Sequence, residues 1–126
     1  MSYSLELYIP YYAVMPDGIA GRKVGLYDQL RFNSDYRILG QLTDLIRTVP
    51  TTIRGRPLPA DTFVVVYGDE GPVETRSDGC DQELTFLYAE DLKRLQMPED
   101  ASSRNRAIKA FIDALSNPTP IILMWR

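Results

Sequence analysis

Arginine, tyrosine and the acidic residues are the side chains here best suited to recognition chemistry. Arg47, Arg54 and Arg56 stand at the end of an expected helix and in the stretch Pro50–Pro59 beyond it, which holds three prolines and one glycine. Proline fixes φ and removes donors, so this segment should be a stiff exposed loop. Guanidinium forks on such a frame can clamp a phosphate or a carboxylate. The chain has eight tyrosines, and Tyr3, Tyr8, Tyr11 and Tyr12 crowd its first strand. A tyrosine offers a flat apolar ring with one polar tip, suited to an interface or a stacked ligand. It also fits any half-buried strand. Asp78, Asp81 and Glu83 share one turn, and Asp69 and Glu70 the turn before it. Such carboxylates could hold calcium or magnesium, or serve hydrolysis, but the EF-hand pattern is absent and no metal is expected. Neither GxGxxG nor GxxxxGK[ST] occurs, so no phosphate loop is expected either.

Missing residue types narrow the chemistry further. The sequence has no histidine, which removes imidazole as base or metal ligand. Its single cysteine, Cys80, can form neither an internal disulfide nor a four-thiolate zinc site, and a reducing cytoplasm is the expected home. No cofactor is expected. The 126 residues fit one domain, 1–126, and a formal charge of -3 argues against broad nucleic-acid binding. No apolar run is long enough for a membrane span, and Met1–Glu6 lack the pattern of a signal peptide.

The elements that must position these groups follow from periodicity. Leu5, Leu7, Ile9 and Tyr11 alternate with Glu6, Tyr8 and Tyr12, as in a strand with one buried face. Pro10 marks it as an edge or a bulge. Asp17-Gly18 is a turn signal, and 23–27 should return as the partner strand. Leu39, Leu42, Leu45, Ile46 and Val49 recur at spacings of three and four, predicting a helix from Asp35 to Val49 that Pro50 stops. Phe63–Tyr67 reads as a central strand, 73–76 as a short one and Leu84–Tyr88 as another, followed by a short helix through Leu92 and Leu95. Ser102 or Ser103 should cap a helix with Ile108, Phe111, Ile112 and Leu115 on one face. Ile121–Trp125 closes the chain as a buried strand. The expected class is α+β, a small mixed or antiparallel sheet with about two main helices packed on it.

In this order the elements resemble a family of small phage and prophage proteins. That family runs from an Asp-Gly turn through an R-N-Y-x-L-F helix start and an R-G-L-P-x-D loop to an H-S-x-S-W-L-T-x-x-E-L segment and a terminal strand. Here Ser34-Asp35-Tyr36-Arg37-Ile38-Leu39 stands at the helix start, and Arg56-Pro57-Leu58-Pro59-Ala60-Asp61 at the loop, with proline in place of glycine. Thr85–Leu92 parallels the tryptophan-containing segment, and Pro120–Trp125 the terminal strand. The departures fall on polar positions, Ser34, Asp35, Gln82 and Glu83, so a ligand site of the family would be altered in this chain.

The resemblance implies a non-enzymatic, phage-type accessory protein acting in the host cytoplasm. It would bind and block a host-defence component, either a nucleotide-like signal or an effector protein. Tyr36, Arg54, Arg56, Asp61 and Tyr88 are the expected ligand residues, where motif and chemistry coincide. Arginine would pair with anionic groups, tyrosine would stack, and Asp61 would orient a hydroxyl or an arginine. The alternative is an interaction module, a homo-oligomer whose contact edge is the strand with Tyr3, Tyr8, Tyr11 and Tyr12. Less favoured is a carboxylate- or metal-dependent hydrolase built on Asp78, Asp81 and Glu83.

Overall fold

The computed structural model describes residues 3–11, 23–60 and 62–126. Ten elements follow in chain order: β1 (Leu5–Tyr11), β2 (Lys23–Arg31), α1 (Tyr36–Leu39), β3 (Arg56–Pro57), β4 (Phe63–Gly68), β5 (Gly71–Thr75), β6 (Thr85–Tyr88), α2 (Ala89–Leu92), α3 (Ser103–Ala114) and β7 (Pro120–Trp125). The strands form one seven-stranded sheet in the order β3-β6-β7-β1-β2-β4-β5. Every pair is antiparallel except β2 with β4, so the class is α+β with a mixed sheet.

The opening strand pairs with its expected partner, Glu6 opposite Arg31 and Leu7 opposite Leu30, and the register shifts at Ile9/Pro10. Pro10 therefore sits at a bulge, beyond the Leu5–Tyr8 stretch that pairs with β7. The Asp17-Gly18 turn lies outside the described residues. Of the two readings of Pro10, edge or bulge, the bulge holds: β1 is an interior strand with β7 on one side and β2 on the other. It is not covered on one face only. Leu5 and Leu7 join the main core with Ile121, Leu123, Trp125 and the helical segments. On the opposite face Tyr8 joins Leu58, Val64, Leu84, Phe86, Ile122 and Met124 in a second apolar cluster. Two cores on either side of one sheet explain why all six residues of β7 are buried.

This second cluster is enclosed because the sheet curls back on itself. Although β5 ends the strand order, Ser77 bridges to Glu83 just before β6, and the Leu84 N–H donates to the Arg76 carbonyl at 2.7 Å. The Arg76 guanidinium also donates to the carbonyls of Leu58, Pro59 and Thr62, tying the segment before β4 to the end of β5.

The predicted helix over 35–49 is replaced by the single turn α1. Gly40 and Thr43 are poor helix formers, and local polar bonds divert the chain. The Gln41 carbonyl, which a continuing helix would offer to the Leu45 N–H, accepts instead from the N–H groups of Thr52 and Ile53. Thr43 Oγ1 takes the Leu45 N–H at 3.2 Å, the competition that disfavours such residues inside helices. Leu39, Leu42 and Ile46 are nevertheless buried, so their spacing reported burial without reporting a helix. Among the described residues one helix runs for several turns, α3. Ser102 Oγ caps it by accepting the Asn105 N–H at 3.1 Å. Its inward face is Asn105, Ile108 and Ile112, while Phe111, expected inside, is 45% exposed. α2 ends at Leu92, with buried Leu95 in the turn after it.

Candidate functional site

The proline-rich loop is pinned at two points, since Ile53 and Leu58 are both buried. Between them Arg54 and Arg56 are exposed, and they point to different neighbours. Arg54 pairs with Asp44, also exposed, at the rim of a cleft of about 340 Å³ shared with Gln82, Glu83 and Thr85. The arginine holds the Asp44 carboxyl below its usual range. Water screens the pair, so it contributes little to stability.

Arg56 lies in β3, opposite Phe86 of β6. Its guanidinium carbon sits 5.4 Å from the centre of the Tyr88 ring, a cation–π contact. Phe86 in turn meets Tyr88 edge-on, with ring centres 5.5 Å apart at 88°. Asp91 completes the cluster from α2. Its carboxylate accepts the Tyr88 N–H at 3.2 Å, capping α2, and lies 3.3 and 3.4 Å from the Arg56 Nη2. Arg94, one turn on, approaches the same carboxylate at 3.9 Å. Charge-assisted bonds between arginine and carboxylate usually measure about 2.7–2.9 Å, so both arginines are loosely held and retain donor capacity.

Of the five expected ligand residues, the structure brings Arg56 and Tyr88 together. Arg54 faces the separate cleft beside Asp44. Tyr36 opens α1, and its hydroxyl oxygen accepts the Tyr3 N–H at 3.0 Å, a structural tie between the start of β1 and α1. Asp61 lies outside the described residues. Asp91 and Arg94 were missed, although Tyr88-x-x-Asp91 is a helix-start spacing and Asp91-x-x-Arg94 places opposite charges on one helical face.

The tyrosine cluster does not form an open contact edge. Tyr8 is 7% exposed, inside the second core, and its hydroxyl donates to Glu6 Oε1 at 3.4 Å. Tyr3 is partly buried against the main core. The Tyr11 side chain and all of Tyr12 lie outside what is described. Because β1 is paired on both sides, its backbone has no free edge along Glu6–Tyr8.

Asp78 serves its own turn. It is buried, and its Oδ1 accepts the N–H groups of Cys80 at 2.8 Å and Gln82 at 3.1 Å. Asp81 adopts a positive φ of 58° in that turn, and both Asp81 and Glu83 are exposed. Among the described residues no three acidic or thiol groups gather as a metal site would require. Burial, reinforced by Asp78 and Asp81, pushes the Cys80 thiol up and keeps it protonated at neutral pH, unlike an activated nucleophile.

No protein-family model, curated protein or solved structure matches the chain. Among the described residues no helix is long and apolar enough to cross a membrane.

Proposed function

We propose that this protein acts by binding, and that it takes a nucleotide-like anion on the surface formed by Arg56, Tyr88 and Arg94. The observation carrying this reading is the Arg56 guanidinium over the Tyr88 ring, with Arg94 directed at the same carboxylate. A phosphate arriving there would exchange two long contacts to Asp91 for short charge-assisted bonds, and a base could stack beside Tyr88. The absence of histidine and a protonated Cys80 favour grip over bond-breaking. In the phage-type setting that the resemblance implies, the ligand is a host-defence signal, sequestered in the host cytoplasm. Copies of this chain that assemble would have to meet through surfaces other than the paired edges of β1.

Calorimetry against cyclic nucleotides and ADP-ribose derivatives tests the proposal. Heat of binding is expected with at least one of them, and Arg56→Gln should weaken it by about tenfold or more, the equivalent of one charge-assisted bond. No heat with any nucleotide would overturn it and leave an effector protein as the partner to seek.

A further inference from the structure

The cleft rimmed by Arg54 and Asp44, about 340 Å³, has a floor and a wall of different origin. Its floor belongs to the main-core face of the sheet. Thr85 of β6 stands opposite Leu123 of β7, and Trp125 follows two residues on along the same face, opposite Leu5. The wall is the irregular chain at Leu42, Leu45 and Gly55. Wall and floor touch at Gly55, where a Cβ would stand 2.5 Å from Thr85 Oγ1, an approach that only glycine allows. The Gln41 carbonyl, accepting from Thr52 and Ile53, holds the wall in place before any ligand arrives.

One end of this cleft holds an unmet donor and a surplus of acid. Trp125 is 4% exposed, and its indole N–H donates to no group among the described residues. Nor is that donor sealed in, since the fully buried side-chain atom left without a partner there is Thr62 Oγ1. The indole is therefore reached from the cleft that Trp125 lines. A donor so nearly buried costs free energy until an acceptor meets it. The acids Asp44, Asp78 and Glu83 line the same cleft against one guanidinium, Arg54, which is engaged with Asp44. Arg47 also acts on Asp44. Among the described residues Asp78 and Glu83 have no cation within ion-pair distance. Backbone bonds place both acids near Trp125. The Gly79 N–H donates to the Trp125 carbonyl at 2.7 Å, and the Asp78 N–H to the Gln82 carbonyl at 2.8 Å. Among the described residues the acids do not gather as a metal site would require, so their surplus suits an organic cation.

We propose that this cleft binds an α-ammonium carbonyl group, as on an unblocked peptide amino terminus, with an apolar side chain beside it. A donor and two carboxylates at one end ask for an oxygen and a cation close together on the ligand, which that group supplies. The ammonium meets Asp78 and Glu83, the carbonyl oxygen accepts from the Trp125 indole, and the apolar side chain rests on Leu42 and Leu45. A neutral carbonyl fits better than a free carboxylate, which the surplus acid would repel. The volume lies at the lower end of the range for small-ligand sites, about 300–1,000 Å³, and suits one residue rather than a long peptide. The cleft uses different residues from the Arg56–Tyr88 surface and does not depend on that reading.

The chain has a single tryptophan, so the Trp125 indole N–H gives one unambiguous nuclear magnetic resonance signal. Titration of the full chain with L-leucinamide at about pH 6, where an α-amine is protonated, should shift that signal saturably together with the amides of 78–85. N-acetyl-L-leucinamide keeps the carbonyl and loses the charge, while 3-methylbutylamine keeps the charge and loses the carbonyl. Each should bind about tenfold more weakly or worse. Glu83→Gln should weaken leucinamide by about tenfold, whereas Glu99→Gln, outside the cleft, should not. Glu83 is exposed and pairs with no described cation, so its substitution leaves the fold intact and the loss of binding is interpretable. Leucyl-glycinamide separates the sources: tighter binding means a peptide terminus is read, equal affinity the aminoacyl head alone. An indole signal that does not shift saturably, equal binding of either truncated probe, or indifference to Glu83→Gln would overturn the site. Each of these outcomes leaves the Arg56–Tyr88 proposal standing.

Discussion

Glu6 and Tyr8 show how the sheet handles polar groups between two cores. Both are buried, 6% and 7% exposed, on the face where the second cluster packs. The Glu6 carboxylate pairs with the Arg126 guanidinium, accepts from Gln29 Nε2 and receives the Tyr8 hydroxyl. Unpaired, a carboxylate so placed would cost several kcal/mol, and here three donors from separate segments satisfy it. Tyr8 carries the consequence for pH. Burial first, and then Glu6, raise its hydroxyl above the ordinary 10.0, with Arg126 opposing. The folded state thus holds the proton more tightly than the unfolded chain. Its contribution is complete below the unfolded value and is lost as pH climbs through the folded one. Phenylalanine cannot ionise. Tyr8→Phe should cost up to about 1 kcal/mol at neutral pH for the long hydroxyl bond, and that deficit should shrink or reverse above about pH 10. Urea unfolding of both proteins from neutral to alkaline pH reads this directly. A deficit that stays constant with pH would mean the hydroxyl titrates alike in both states.

Among the elements, the segment 40–53 depends on one side chain where a helix was expected. Gln41 is 8% exposed; its Nε2 donates to the carbonyls of Arg37 and Gln96, both at 2.9 Å, and its Oε1 accepts the Gln96 N–H at 2.9 Å. Two stretches far apart in sequence are joined there. Gln41→Ala leaves the Gln96 groups short of partners in a partly buried setting and should cost about 2 kcal/mol, seen as a lower urea midpoint with unchanged slope. A loss below half of that would show that water replaces the amide readily. No local pattern announces this hub, because the partner that makes it one, Gln96, lies 55 residues away. Where patterning was local, the sequence was informative: the alternation in β1, the Pro10 bulge, the Ser102 cap and the apolar run of β7 all describe the structure. Spacing failed where it had to distinguish a buried helix from a buried irregular turn, at 40–49, and where a polar residue took an inward position, as Asn105 does in place of Phe111. Of the candidate site, Arg56 and Tyr88 were legible as chemistry. Their meeting was not, since it follows from β3 pairing with β6 across the intervening chain.

For the molecule as a whole, the sheet has two ends, and each carries a proline. The order runs from β3, which holds Pro57, to β5, which holds Pro72. Pro72 stands opposite Tyr67 in the β4–β5 ladder. A proline is tolerated in such a ladder where its nitrogen faces the open side, so the outer edge of β5 lacks a donor at that point. An exposed edge invites pairing with a second chain, and a missing N–H is one of the ways proteins discourage it. Val73, next along, is 53% exposed and would supply apolar contact if pairing began. Pro72→Val restores the donor and adds a strong strand former, so the variant should associate with rising concentration where the parent does not gain mass in parallel. Light scattering over a concentration series measures this, and an added charge in the pair Pro72→Val, Val73→Lys should reverse it. If Pro72→Val keeps the parent's mass at every concentration, the β5 edge is shielded by something other than the proline. Should the association follow as expected, a single missing N–H keeps this curled sheet from extending.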